Sequence, residues 1–430
     1  MRIALLVVLL FSAYIQFSIV SRTVVDTPLR ADAKSYFSYA YNLKNYGVYS
    51  NAATWSGQSP AIKPAADKLS PPGYPLFLLA VGNPEPTEDF VSRVTYVQAV
   101  LAVLSVWLMY LISARFLGPR WALAAATLTA LSPHLAVMTS YILTETLFIF
   151  LLFASLLSLL VAIDSKKRVA IVATGLLWGL CSLVRPTAQF VPLLALLAVV
   201  ALPRLRQFRK EVLLGFAVFI AVQAPWQIRN HFLESTPGQP SLMVNFLNFG
   251  AYPNFMYQDR PESFAVPYRF DPDINTIQHD LPSFISSISG KFRHQPVKYA
   301  RWYLIGKPGY FLSWTNIDGV GDVYIYPVIR SPYFEDMKFA LVRFGMLALH
   351  WPLMLLGLLG GMAAWLRPEW ARLDESSRMA AMAVSGLFAY ALVFHMIGAP
   401  LPRYGIPFRP LLYPLALLVL RGWWLKRLQK

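Results

Sequence analysis

The chain of 430 residues has one cysteine, and that scarcity removes whole classes of protein. A single thiol builds no disulfide framework and no cysteine-based zinc site. Cys181 lies in an apolar run and reads as inert packing. Charge is scarce too: charged residues make up 14% against 56% hydrophobic, and the mean hydropathy is +0.47. Soluble globular chains carry about 25% charged residues, and disordered chains are poor in apolar and aromatic ones. Both classes are excluded, which leaves a polytopic membrane protein. Acidic residues are the rarer sign, 22 against 38 basic, for a net charge of +16. There is no zinc-finger spacing, RNA-binding motif or helix-turn-helix pattern, so no nucleic acid is expected as a partner. Asp271, Asp273, Asp318 and Asp322 show no EF-hand spacing, and no metal is assigned.

Long apolar runs are what the sequence has in quantity. A membrane helix needs about 20 mostly apolar residues. Candidate spans lie near 3–20, 91–114, 121–139, 142–163, 169–184, 189–202, 211–228, 340–366, 379–397 and 408–425. No A-x-A cleavage pattern follows Val20, so the first run reads as an uncleaved signal anchor. With the N-terminus in the cytoplasm, the connectors on that side hold Arg115, Arg120, Lys166, Lys167, Arg168, Arg204, Arg206, Arg209, Lys210, Arg367, Arg372 and Arg378. The tail adds Lys426, Arg427 and Lys430. That bias satisfies the positive-inside rule in one orientation and returns the C-terminus to the cytoplasm. The expected fold class is an all-α polytopic membrane protein of about 10 transmembrane helices, with two long extracytoplasmic segments, 21–90 and 229–339. Connections of that length carry structure or function of their own.

Polar residues gather at the ends of the runs on that outer side. Tyr36, Tyr39, Ala40 and Leu43 recur at helical spacing, with Asp32 as the expected N-cap and Gly47 just past the C-terminus. Asp32 is open to two readings: a capping residue, or a carboxylate at the membrane surface between Arg30 and Lys34, where a phosphate could be held. Glu145 falls in the first turn of the fourth run. A carboxylate inside a membrane helix is costly and points to function, although the positive helix terminus also favours it. Arg185, Arg229 and Arg403 each stand at an outer helix end, against the charge bias, so each calls for an acidic partner such as Glu145, a phosphate, or lipid headgroups. Three such arginines with two outer acids suggest an anionic substrate.

In order along the chain, the notable pieces are Asp32 with Tyr36, Ala40, Asn42 and Gly47; Pro71-Pro72-Gly73-Tyr74-Pro75; Ser132-Pro133 leading to Thr144-Glu145; Arg185-Pro186-Thr187; Pro225-Trp226 with Arg229-Asn230; and Arg403-Tyr404. In this order the chain resembles the C-type (GT-C) membrane glycosyltransferases, in the branch of protein O-mannosyltransferases and aminoarabinose transferases. The resemblance covers nearly the whole chain and is firmest over 1–230. It departs from the mannosyltransferase pattern at Asp32-Ala33, where an Asp-Glu pair is usual, and in having no large C-terminal soluble domain.

The resemblance implies a sugar donor carried on a polyprenyl phosphate and used outside the cytoplasm. The acceptor would be a glycolipid such as lipopolysaccharide, a polysaccharide or a protein. Asp32 matches the catalytic acid and Glu145 the second acid. Lys34, Tyr36, Arg185, Arg229, Arg403 and Tyr404 are the candidates for donor phosphate and sugar, and no cofactor is expected. Residues 1–228 would form the catalytic transmembrane module, including the outer loop 21–90. Residues 229–339 would form an extracytoplasmic subdomain, and 340–430 the C-terminal helices. The compact chain suits a bacterial inner membrane, with membrane lipids around it. Two other readings stand beside the enzyme: a transporter or flippase of a lipid-linked sugar, and an inactive envelope scaffold.

Overall fold

A computed structural model describes residues 1–56, 63–201, 203–233, 242–317 and 321–427. Asp318 and Lys430, both read in the sequence, lie outside the described residues. The apolar runs fold as helices: α1 (Arg2–Arg22), α4 (Glu88–Leu117), α5 (Pro119–Ala130), α6 (Pro133–Met138), α7 (Glu145–Ser165), α8 (Arg168–Val184), α9 (Phe190–Ala201) and α10 (Arg209–Phe232). Between α1 and α4 stand α2 (Ala31–Tyr46) and α3 (Gly73–Val81). Later come α11 (Leu242–Phe249) and the long helices Met337–Leu366, Glu375–Ile397 and Leu412–Arg427.

Among the described residues, six helices are long and apolar enough to cross a membrane, so the chain is a multi-pass membrane protein. The expected count of about ten is not reached by that measure. The run 121–139 is not one span, because Ser132 is extended and Pro133 restarts the helix as α6. Proline has no N–H to continue the ladder, and it disfavours helical backbone at the residue before it. The run 189–202 yields the 12 residues of α9. The run at 408 becomes an α-helix only at Leu412, after a 3₁₀ turn at Arg409–Leu411.

The chain divides into two compact units. The first unit comprises Met1–Leu233, Val328–Phe388 and Pro407–Lys430. Within it, α4 packs on α1, α5 and α7, and α8 lies between α7 and α10. Val106 of α4 meets Ala126 and Ala130 of α5, with Val8 and Leu9 of α1 against them. In lipid, close packing rather than water exclusion joins helices, and small residues permit it. Gly360 shows this: a Cβ there would lie 2.0 Å from the Leu415 carbonyl oxygen. The outward face of α1 bares Ile3, Leu6, Val7 and Leu10, as a lipid-facing helix should.

Strand β1 (Val24–Val25) pairs antiparallel with β2 (Val328–Arg330) as a small two-stranded sheet. Beside it Arg22 reaches Asp336 at 3.0 Å, and the Asp336 side chain accepts from the Lys338 N–H to cap the next helix. The end of α1 and the start of Met337–Leu366 therefore lie at the same end of the unit.

The second unit comprises Glu234–Pro327 and Ala389–Ile406. Its core gathers Phe255, Trp302 and Leu401, and the Trp302 indole donates to the Gly250 carbonyl at 2.9 Å. Lys307 is fully buried there and donates to the carbonyls of Ile397 and Gly398, at 3.3 and 2.8 Å.

Candidate functional site

Helix α2 presents Asp32 in a way the sequence did not. The helix begins at Ala31, because the Lys34 N–H already bonds the Arg30 carbonyl, and Arg30 is the N-cap. The expected N-cap role of Asp32 is therefore corrected. Asp32 is exposed inside the first turn, where the helix dipole favours its charge. Lys34 is exposed and Tyr36 half-buried. Gly47 ends the helix at φ 63°, the left-handed C-cap its position implied. The buried face is centred on Ala33, Phe37 and Ala40 rather than on Tyr36 and Leu43. Phe37 holds it down, edge-on to Trp55 at 5.1 Å and to Phe90 of α4 at 5.8 Å.

The residues after α2 fold back on it through Asp67, which the sequence reading did not single out. The Tyr39 hydroxyl donates to Asp67 Oδ1 at 2.5 Å. The Asn51 N–H donates to Oδ2 at 2.7 Å, and the Leu69 N–H to Oδ1 at 3.1 Å. Tyr39 stacks on Tyr49 with centroids 4.2 Å apart, and the Tyr49 hydroxyl donates to the Ser70 carbonyl at 2.9 Å. Burial, and then the Asp67 carboxylate, push both phenols well above their usual range. No local motif marks Asp67, since its partners lie far along the chain.

Arg229, at the end of α10, joins this cluster. Its guanidinium donates to the carbonyls of Asp67 and Tyr49, at 2.7 and 3.3 Å, and lies over the Tyr49 and Trp226 rings. Beside the phosphate role expected of it, Arg229 therefore has a structural one. The guanidinium also donates to the Asn230 side-chain oxygen at 2.9 Å, and the side chain ties α10 to the first loop. Arg185, at the end of α8, meets Glu145 at 3.3 Å, with side-chain exposures of 14% and 0%. Of the partners the sequence offered Arg185, the acidic one is realised. Its guanidinium also lies over the Phe148 ring at 5.6 Å.

Aromatic and backbone contacts bring these pieces together. Tyr36 of α2 sits edge-on to Tyr74 of α3, centroids 5.3 Å apart. Gly73, one residue before, lies so close to α8 that a Cβ would come within 2.6 Å of the Leu183 carbonyl. The loop bearing Asp32 is thus laid over the helix ends bearing Glu145, Arg185 and Arg229. Arg403 and Tyr404 belong to the second unit. Arg403 is buried there, and Tyr404 packs near His395 with centroids 5.3 Å apart. Among the described residues, no group of three His, Cys, Asp or Glu is placed to hold a metal.

The comparisons bear on this arrangement. A family profile described as dolichyl-phosphate-mannose-protein mannosyltransferase matches residues 89–228, the stretch that holds Glu145 and Arg185. No curated protein matches the chain. Among solved structures, the oligosaccharyltransferase AglB of Archaeoglobus fulgidus, with an inhibitory peptide and a dolichol-phosphate, superposes with a TM-score of 0.53 at 15% identity. The alignment covers 97% of this chain and 49% of that one.

The chain has the GT-C fold.

An Archaeoglobus fulgidus oligosaccharyltransferase in the apo form gives a TM-score of 0.51, again at 15% identity, covering 97% of this chain and 50% of that one. The chain therefore spans about half the length of these GT-C proteins. ArnT of Cupriavidus metallidurans bound to undecaprenyl phosphate matches at 13% identity over 98% of this chain and 76% of that one, with a TM-score of 0.41.

Proposed function

We propose that the chain is an integral membrane glycosyltransferase. It moves a sugar from a polyprenyl-phosphate donor to an acceptor hydroxyl at the extracytoplasmic face of a bacterial inner membrane. The observation that carries this reading is the close seat of α3 on the end of α8, beside the buried Glu145–Arg185 pair, with the Asp32 carboxylate exposed on the first turn of α2. The dolichol-phosphate named with the structural neighbour AglB supports a lipid-linked donor.

An acceptor hydroxyl is a weak nucleophile, and a carboxylate in reach can take its proton as the new bond forms. Asp32 is that base. The hydroxyl oxygen bonds the anomeric carbon, the carbon–oxygen bond to the phosphate breaks, and the lipid phosphate leaves with the electron pair. One displacement inverts the anomeric centre. Cations neutralise the phosphate as its charge grows. Lys34 is exposed two residues on from Asp32 in the first turn of α2 and Arg185 stands at a helix end, so these two serve, with Tyr36 lining the sugar side. Glu145 holds Arg185 in place. No step is routed through a metal.

The test is mass spectrometry of envelope glycolipids and glycoproteins from a deletion strain carrying the wild-type chain or Asp32→Asn at matched expression. The expected result is a sugar that is lost on deletion and restored by the wild type alone. Full restoration by Asp32→Asn removes Asp32 as the base and moves the transporter or scaffold reading ahead.

A further inference from the structure

Glu145 opens α7 directly after an irregular turn, Thr139 to Thr144, and every residue of that turn is buried. Non-helical backbone at membrane depth is tolerated where protein groups satisfy it. Here the group is a side chain of α4. Gln98, fully buried, donates from Nε2 to the carbonyls of Thr139 at 3.0 Å and Tyr141 at 2.8 Å. Both amide protons are used, so Oε1 must face the other way. There it accepts the Tyr74 hydroxyl at 2.9 Å. That one hydroxyl fixes which end of the amide meets the turn.

Tyr74 is itself pinned. Gly73 seats α3 against the Leu183 and Val184 backbone, just before Arg185, and Arg185 returns to Glu145. The contacts close a circuit: α3 to α4, α4 to the turn, the turn to α7, α7 to α8, and α8 to α3. Tyr36 of α2 rests on the same Tyr74 ring, so the helix bearing Asp32 meets this circuit at that side chain. A satisfied network of buried polar groups holds one geometry more firmly than apolar packing does.

We infer that Gln98, oriented by Tyr74, is a positioning residue for Glu145: its amide fixes the turn from which α7 starts, and with it the carboxylate that meets Arg185. Its meaning for transfer rests on the function proposed above. A small misplacement of a positioned group costs a transferase about tenfold to 100-fold in rate.

The experiment uses the full chain in washed membranes holding the strain's own lipid-linked sugars, and the same chain purified in detergent. The variants are Gln98→Glu, Gln98→Leu, Tyr74→Phe, Glu145→Gln and the double variants with Glu145→Gln. Gln98→Glu keeps the length and loses both N–H donors, while Tyr74→Phe keeps the ring and folds even where Gln98→Leu does not. The expected result is a loss of about tenfold or more in transfer rate for Gln98→Glu and Tyr74→Phe, with no further loss when either joins Glu145→Gln. The thermal midpoints of the same pairs should be non-additive. Wild-type rates in Gln98→Glu and Tyr74→Phe, or losses that multiply and midpoints that add, overturn the inference. If no sugar transfer depends on the chain at all, the proposed function fails, and the midpoint cycle alone decides. Coupling then keeps Gln98 as the residue that places Glu145, and additivity ends that role.

Discussion

At the scale of single residues, the Tyr39–Asp67 bond is the contact on which the first loop most depends. A phenol donating to a carboxylate is a charge-assisted bond, and its loss leaves the half-buried Asp67 with only the Asn51 and Leu69 N–H groups. Tyr39→Phe is expected to destabilise the protein by about 1–3 kcal/mol, read as a lower thermal midpoint in detergent. An unchanged midpoint would show that Asp67 finds other partners. Lys307 makes a second, pH-dependent case. Burial pushes its ammonium from 10.5 down to about 6. The neutral amine still has N–H groups for the Ile397 and Gly398 carbonyls, and the Tyr303 phenol facing it is pushed up to about 12 by burial. Between those two lysine values the unfolded chain binds more protons than the folded one, so stability rises with pH across the window and is level below it. The slope is at most about 1.4 kcal/mol per pH unit. Lys307→Met should flatten it, as unfolding at pH 6 and pH 9 would reveal; a slope that survives the substitution assigns the titration elsewhere.

At the scale of elements, α3 is the piece that joins the loop to the membrane helices. Its approach to α8 depends on Gly73, because a Cβ there would lie 2.6 Å from the Leu183 carbonyl carbon and oxygen. Backbone cannot swing aside as a long side chain can. Gly73→Ala should therefore lift α3, carry Tyr74 away from Gln98 and lower transfer, with the chain still inserted and expressed. Wild-type transfer in that variant would mean that α3 has slack. The Pro71-Pro72-Gly73-Tyr74-Pro75 piece was visible in the sequence as a turn running into an apolar stretch too short to span. Its partner surface on α8 was not, since nothing in a linear pattern says which helix end a short helix will meet. The break of the third run was legible only in part: Ser132-Pro133 stood in the sequence, and the irregular turn after α6 did not.

At the scale of the whole molecule, the pairing of β1 with β2 and the Arg22–Asp336 bridge set the end of α1 beside the start of Met337–Leu366. The alternation of spans inferred from the basic connectors makes both ends extracytoplasmic, which labelling can test. In a Cys181→Ala background, cysteines at Asp26 and Phe334 should label from one side of the membrane with an impermeant maleimide, and cysteines at Arg168 and Arg367 from the other. Labelling of Asp26→Cys and Arg168→Cys from the same side would break the proposed topology. Acid should loosen the bridge. Arg22 holds the Asp336 carboxyl below its usual range, so its contribution is present above the unfolded value and fades as pH falls through the folded one.

The amino-acid sequence by itself determined that the chain is helical and membrane-bound, where most apolar helices begin and end, and which helix ends carry charge. Hydrophobic run length, proline positions and basic connectors are local quantities, and the bilayer reads them locally. The tertiary structure alone decided what each polar group does. Arg185 had an acid, a phosphate or a headgroup open to it and took Glu145. Arg229 looked equivalent and went to backbone carbonyls 162 and 180 residues away in the chain. Asp67 and Gln98 carried no signal, because the value of a buried hydrogen bond depends on groups that only folding brings within reach.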